Sequence, residues 1–298
     1  MHSKACDTLR KQGYNFISPL STAAVKPCLW SKRALAGGDM CYKHQFYGIE
    51  SHRCIQMTPT LRCNQRCLFC WRSHELPIDE DVELSPEEIA ASVKKLHKKG
   101  LSGYKPHPEV TEERWSEATG TPNQVAISLS GEPTCYSQLP GLVDLFMETG
   151  HTVFVVSNGT RPRVIRDLHP TQLYISLDAP DEETYRMICR PMGDYWERIQ
   201  ESLSYLSSRR SAIRMTVVKG LNDHSPEEYG RIICDAAPTF VEIKGYMYLG
   251  YSRSRLSVEQ MPDHAYLRSF AEEVGRHAGY RIRDESPVSR VVCLEEEP

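Results

Sequence analysis

The chain has 298 residues, 40% hydrophobic and 25% charged, a balance ordinary for a water-soluble globular protein. No apolar run approaches the roughly 18–20 residues that span a bilayer, and the start lacks a secretory signal, so no membrane partner and a cytoplasmic location are expected. The net charge of −3 gives no sign of nucleic acid by itself. Residues 1–74 nevertheless carry +8 and the remainder −11. That asymmetry either turns the basic end towards an anionic partner or folds a basic arm against an acidic body.

Before Cys28 the chain reads as loosely organised. Cys28, Cys41 and Cys54 then recur with twelve residues between each pair, Lys43 lying among the aromatic residues of "CYKHQFYG". Even spacing means nothing without a shared ligand. The odd total of eleven cysteines argues against a complete disulfide framework, and in a reducing compartment such clusters point to metal or chemistry.

From residue 53 onward, short β-rich runs alternate with amphipathic stretches. Strands are predicted at 53–58, 124–129, 152–157, 172–177, 212–218 and 240–247. Helical patterns cover 85–99, 137–149, 161–168, 194–208, 225–237 and 263–278. "SPEE" occurs at 85 and at 225, and each time Ser suits the N-cap, Pro the first helical position and the acids the positive helix end. Residues 104–123 read as an insertion with a short helix at 109–118. About six strand–helix units imply a parallel sheet too small for a closed eightfold barrel. The expected fold is α/β, a partial (β/α)6 TIM-like barrel in 53–256, flanked by a basic segment 1–52 and an extension 257–298. "CNQRCLFC", "SGEPT", "NGT" and "DAP" each follow a strand, which puts them on one rim, where such folds bind ligands.

Cys63, Cys67 and Cys70 sit on one tight loop. Three thiolates can hold three corners of a 4Fe–4S cluster and leave one iron open for a ligand with amine and carboxylate groups. Zinc with a fourth ligand at His74 or Cys54 is the other reading. The Cys-x3-Cys-x2-Cys spacing, with Phe69 before the last cysteine, resembles the radical-SAM signature. By that resemblance Ser130, Gly131 and Glu132 of "SGEP" hold the methionyl amine of S-adenosyl-L-methionine, and Ser157 and Asn158 its ribose. Ser176 and Asp178 are further cofactor contacts, although Asp178 equally suits a cap for the helix starting near residue 181.

Taken together, "C-x12-CYKxxFYGI-x-SHRC", "TPTLRCNQRCLFCWR", "SLSGEPT" and "EIKGYMYLGYSRSRL" resemble the tRNA 4-demethylwyosine synthases. These are the radical-SAM enzymes of wybutosine formation, here in the short archaeal form. The resemblance spans Cys28 to Leu256. It implies condensation of N1-methylguanosine, beside the anticodon of tRNA-Phe, with pyruvate. Cys63, Cys67 and Cys70 would hold one 4Fe–4S cluster, and Cys28, Cys41 and Cys54 a second that engages pyruvate. Lys43 would form a Schiff base with the keto carbon; paired with an RNA phosphate it would instead be a surface cation. A monomer served by a separate flavodoxin- or ferredoxin-like electron donor is expected. Arg62, Arg66, Arg72, Arg253 and Arg255 suit RNA phosphates. Trp71, Tyr246, Tyr248 and Tyr251 suit stacking on a base, or core packing in the case of Tyr246 and Tyr248. Other readings are a radical-SAM enzyme acting on a peptide or small molecule, and a zinc-stabilised RNA-binding protein.

Overall fold

The computed structural model describes residues 4–75, 78 and 81–297. Its chain forms two compact units, the first from described residues of 1–63, 75–156 and 167–171, the second from 64–74, 157–166 and 172–298.

The first unit is built on β1 (Asn15–Phe16), β2 (Ala24–Val25), β3 (Cys54–Thr58), β4 (Gln124–Ile127) and β5 (Thr152–Ser157), whose last residue belongs to the second unit. β1, β2 and β3 pair antiparallel in that order, whereas β3–β4 and β4–β5 are parallel. Residues before Cys28 are therefore organised: a helix at Lys4–Lys11 and two short strands extend the sheet. Two-residue strands are too short to show a period-two pattern in sequence. The helix Pro86–Leu101 buries Ile89, Val93 and Leu101, and Ser85 and Glu88 close a reciprocal capping box at its start. The insertion carries its short helix at Glu112–Gly120, three residues later than the pattern suggested because Thr111 supplies the cap.

The second unit carries β6 (Gln172–Ser176), β7 (Ser211–Val217) and β8 (Phe240–Gly245) in parallel. It continues antiparallel through β10 (Val291–Glu296) to β9 (Tyr280–Ser286) at the edge. The second "SPEE" departs from expectation. Ser225 lies in the left-handed region at φ 51° and makes no side-chain cap, so the helix Pro226–Ala236 starts on proline and its acids alone. Among the described residues no helix is long and apolar enough to cross a membrane.

Candidate active site and cluster-binding loops

In the first unit, two of the widely spaced cysteines start helices. Cys28 caps Leu29–Leu35, its Sγ accepting from the Ser31 N–H at 3.3 Å. Cys41 precedes Tyr42–Tyr47, and its Sγ accepts from the Ser51 hydroxyl at 3.2 Å. Cys54 begins β3. The three thiols meet. Burial is the main force pushing the Cys54 thiol up, the Cys28 and Cys41 sulfurs push it further, and Lys43 opposes them. Burial likewise raises Cys28, against hydrogen bonds from Ser31 and Trp30 that favour its thiolate. Three converging cysteine sulfurs beside a cation are a donor set suited to a thiolate-ligated cluster, in which metal takes the place of the thiol protons.

Register places Lys43 in this group. Gln56 pairs with Ala126 and Ala126 with Phe154, so Cys54, Gln56, Ala126 and Phe154 share one face of β3–β5. The Lys43 Nζ lies 4.4 Å from the Phe154 ring centroid, and Lys43 is only 9% exposed. Tyr47 packs on the same ring at 6.4 Å, and the buried Phe46 joins Tyr42 and Tyr47 edge-on. A buried amine against aromatic walls differs from the surface cation considered for Lys43. Phe154 could not be singled out in sequence, since nothing in "TVFVVS" distinguishes an interior aromatic residue from core.

The rim of this unit is made by the backbone. Thr58 Oγ1 donates to the carbonyls of Ser130 (2.5 Å) and Thr60 (2.6 Å), and the Glu132 N–H donates to the Arg62 carbonyl at 2.7 Å. Gly131 has φ 71°, and a Cβ there would meet the Thr60 carbonyl oxygen at 2.4 Å. Only glycine permits "SGEP" to lie against the segment leading into Cys63. The Glu132 carboxylate, 3% exposed, accepts from the Thr134 N–H and hydroxyl at 3.1 and 2.7 Å. Asp81 holds the same segment from behind, accepting from Thr22 N–H (2.7 Å) and Thr60 Oγ1 (2.6 Å). Its role is invisible in sequence because both partners are distant along the chain. Arg62 is exposed and lies 3.6 Å from Asp81. Separately, Glu50, His52 and Glu117 lie close enough to hold a metal ion. There His52 Nε2 already bonds Glu117 at 2.9 Å, and Arg53 neutralises Glu50 at 2.8 Å.

In the second unit the loop after Cys63 is docked by its backbone. Arg66 N–H donates to the carbonyls of Cys189 (3.0 Å) and Arg190 (3.1 Å), and Leu68 N–H to Ile188 (2.8 Å). Arg190, left-handed at φ 46°, turns the end of the helix Glu182–Cys189 towards that loop. Cys70 lies near enough to Cys67 to push its thiol up. The Cys67 thiol is pushed well up, chiefly by its hydrogen bond with Cys189 and then by burial. Gln65 bridges Cys67 Sγ (3.3 Å) and the Tyr185 hydroxyl (2.8 Å). Cys189 and Tyr185 carry no motif, and Gln65, although inside "CNQRCLFC", has nothing in sequence to show this bridging role. Asn64 joins the "NGT" turn, accepting from Asn158 Nδ2 (2.9 Å) and donating to Thr160 Oγ1 (2.8 Å). Asn158, Ser176 and Asp178 line a small cavity together with Gln65, Tyr185 and Cys189, and the buried Ser157 accepts from the Gly159 N–H at 3.1 Å.

Asp178 is not the helix cap. Asp181 is, accepting from Thr184 N–H at 2.8 Å. The Asp178 carboxylate accepts instead from Thr216 N–H at 2.7 Å, and burial pushes it up to about 6. Arg255 directs its guanidinium to the Cys70 carbonyl and His74, and to the Arg72 carbonyl at 3.3 Å, so it clamps the cluster loop. Arg66 donates to the Gln65 carbonyl at 3.1 Å. Arg72 stacks over Trp71 at 4.4 Å, and the exposed Arg253 over Tyr248 at 5.3 Å. Trp71 is 41% exposed, whereas Tyr246 is core, its hydroxyl donating to Ser252 at 3.0 Å. β8 ends at Gly245, before the expected 247, and Gly250 then packs on the Trp71 carbonyl, where a Cβ would stand 2.2 Å away.

Comparison with known proteins matches residues 57–232 to the radical SAM superfamily and residues 235–296 to the family described as wyosine base formation. The S-adenosyl-L-methionine-dependent tRNA 4-demethylwyosine synthase of Pyrococcus abyssi is 44% identical over 99% of this chain and 89% of its own length. That of Methanocaldococcus jannaschii is 41% identical over 97% of this chain and 94% of its own. A solved structure of TYW1 with a lysine–pyruvate adduct bound superposes with a TM-score of 0.91 at 39% identity, over 99% of this chain and 96% of that one. The fold is therefore the partial TIM-like barrel of the radical-SAM type, and the likeness extends past Leu256 to the end of β10.

Proposed function

This chain belongs to the tRNA 4-demethylwyosine synthase family of radical-SAM enzymes, and on that premise we propose that it condenses N1-methylguanosine of tRNA-Phe with pyruvate on Lys43. It is an S-adenosyl-L-methionine-dependent enzyme that forms a wyosine precursor on tRNA, and a 4Fe–4S cluster belongs to its superfamily.

In this reading Cys63, Cys67 and Cys70 hold that cluster. Phe69, Ser130, Gly131, Glu132, Ser157, Asn158, Ser176 and Asp178 receive the cofactor. Together, when bound, they supply a 5′-deoxyadenosyl radical able to take hydrogen from the N1-methyl group. Cys28, Cys41 and Cys54 hold a second 4Fe–4S cluster beside Lys43.

The Lys43 amine adds to the keto carbon of pyruvate and water leaves, giving a Schiff base whose carbon accepts the substrate radical. The pyruvate carboxylate would depart as CO2 with its surplus electron passing to the cluster that Cys28, Cys41 and Cys54 would hold, and imine exchange closes the third ring and returns the amine. Phe46, Tyr47 and Phe154 keep water from that adduct. Arg62, Arg66, Arg72 and Arg253 meet RNA phosphates, with Trp71, Tyr248 and Tyr251 as stacking surfaces, while Arg255 holds the loop. A cytoplasmic monomer with a separate flavodoxin- or ferredoxin-like donor completes the proposal.

The observation that carries it is the convergence of Cys28, Cys41 and Cys54 on the buried Lys43 in one unit. The lysine–pyruvate adduct named for the TYW1 structure at 39% identity supports it. The test is anaerobic reconstitution with iron, sulfide, reductant, S-adenosyl-L-methionine, pyruvate and an N1-methylguanosine transcript, read by nucleoside mass spectrometry. The tricyclic nucleoside is expected. Its absence alongside active cofactor cleavage would overturn the substrate assignment.

A further inference from the structure

Several exposed arginines of this protein are committed to carboxylates. Arg186 pairs with Glu182 and Asp194, Arg231 with Glu228 and Asp235, Arg268 with Glu285, and Arg281 and Arg283 with Glu295. Arg161, Arg163 and Arg198 differ. All three are exposed, none makes an ion pair among the described residues, and all line one open cleft of about 570 Å³ in the second unit. Glu201 is its only acidic lining residue.

The cleft is held in shape by buried contacts. One wall is the turn after β5, where Gly159 has φ 72°. The other is the helix Trp196–Ser204, which buries Ile199, Ser202 and Leu203 and leaves Arg198 and Glu201 outside. Ser202 Oγ donates to the Gly159 carbonyl at 2.5 Å and locks the two walls together. Arg198 stands 5.6 Å from the Tyr195 ring centroid, an additional flat surface beside the charges. The cleft also reaches the cluster loop directly, because its lining residue Thr160 accepts from Asn64, the residue after Cys63.

We propose that the cleft formed by Arg161, Arg163 and Arg198 is a docking site for the phosphate backbone of the tRNA substrate. The proposal rests on the tRNA-modifying function argued above. Small anions are held by buried, convergent donors. Three exposed guanidiniums spread along an open groove instead match a chain of phosphates, each displacing counterions as it is neutralised. Arginine serves better than lysine here, since its planar fork meets phosphate with two parallel hydrogen bonds. The Thr160–Asn64 contact gives the site a purpose: phosphates held in the cleft are registered against the loop that carries Cys67 and Cys70.

The test uses the reconstituted protein and an N1-methylguanosine-bearing tRNA-Phe transcript, with binding followed by fluorescence anisotropy across a potassium chloride series. The triple variant Arg161→Gln, Arg163→Gln, Arg198→Gln should flatten the slope of log affinity against log salt by roughly 2–3, about one per lost phosphate contact. Iron content and thermal midpoint serve as folding controls. Glu201→Gln, which removes the opposing charge, should bind severalfold more tightly than wild type, so the proposal stays testable should the triple variant misfold. Unchanged affinity and slope in both variants would overturn it. Failure of the wild-type protein to bind the transcript at all would tell instead against the tRNA-modifying function.

Discussion

The Lys43 ammonium faces the ring of Phe154 at 4.4 Å, on the face of the sheet that also bears Cys54. An aromatic face favours the cation by about 0.5–2 kcal/mol, yet a Schiff-base lysine attacks only as the free amine. The ring thus excludes water at some cost to reactivity. Phe154→Leu keeps the apolar wall and removes the attraction. At neutral pH, borohydride trapping of labelled pyruvate should then run roughly two- to thirtyfold faster than in wild type. Lys43→Arg should trap none. Equal labelling of Lys43→Arg and wild type would return Lys43 to a phosphate-contact role.

The meeting of Cys28, Cys41 and Cys54 leads to a count of iron. Wild-type protein reconstituted without oxygen should hold about eight irons and Cys54→Ala about four, with cleavage of S-adenosyl-L-methionine retained. Colorimetric iron assay and product chromatography measure the two separately. Iron near four in the wild-type protein would leave the second cluster without support.

Gly131 lies against the Thr60–Arg62 backbone that leads into Cys63. In Gly131→Ala the new methyl would press on the Thr60 carbonyl, and the left-handed backbone would itself be strained by about 1 kcal/mol or more. The variant should lose S-adenosyl-L-methionine binding by at least tenfold in equilibrium dialysis and unfold at lower denaturant. Binding equal to wild type would refute the assignment of "SGEP" to the cofactor.

Asp178 predicts a pH dependence. Burial raises its folded-state value to about 6, above the roughly 3.9 of an unfolded chain. Between those values the native state binds the proton more tightly, so the stability from this group is full below about pH 4 and lost as pH rises through about 6. The loss by pH 7.5 is at most about 3 kcal/mol. Asp178→Asn keeps an acceptor for the Thr216 N–H and abolishes the titration. Denaturant midpoints should therefore be similar for the two proteins near pH 4.5 and favour the variant at pH 7.5. A constant difference across that range would contradict the buried environment.

What was legible in the sequence follows from what repeats locally. β5 spans the expected 152–157, and the other five parallel strands fall within one or two residues of expectation at each end, because buried strands advertise themselves as runs of Val, Ile and Leu. The terminal strands were missed for opposite reasons. β1 and β2 are too short to show a pattern, and β9 alternates charges that also suit a loop. Motif spacing singled out the cysteines, Lys43 and "SGEP". It could not reveal Phe154, Asp81 or Cys189, whose partners lie dozens of residues away or more and meet them only through the fold. Charge summed over segments drew attention to residues 1–74, whereas Arg161, Arg163 and Arg198 lie in the acidic remainder. Their distinction is that they line one cleft and make no ion pair among the described residues, which only three dimensions display.

Among the described residues β9 ends the second unit's sheet with one side unpaired, and an open strand of that kind is a template on which another molecule can add. Here it is seven residues long and carries Arg281 and Arg283, both bound to Glu295 of β10. A second copy aligning antiparallel would set these arginines opposite its Asp284 and Glu285, so the sign of the charges does not oppose pairing. What blunts this edge is its charge density, four charged side chains in seven residues, each of which a joining strand would have to strip of water.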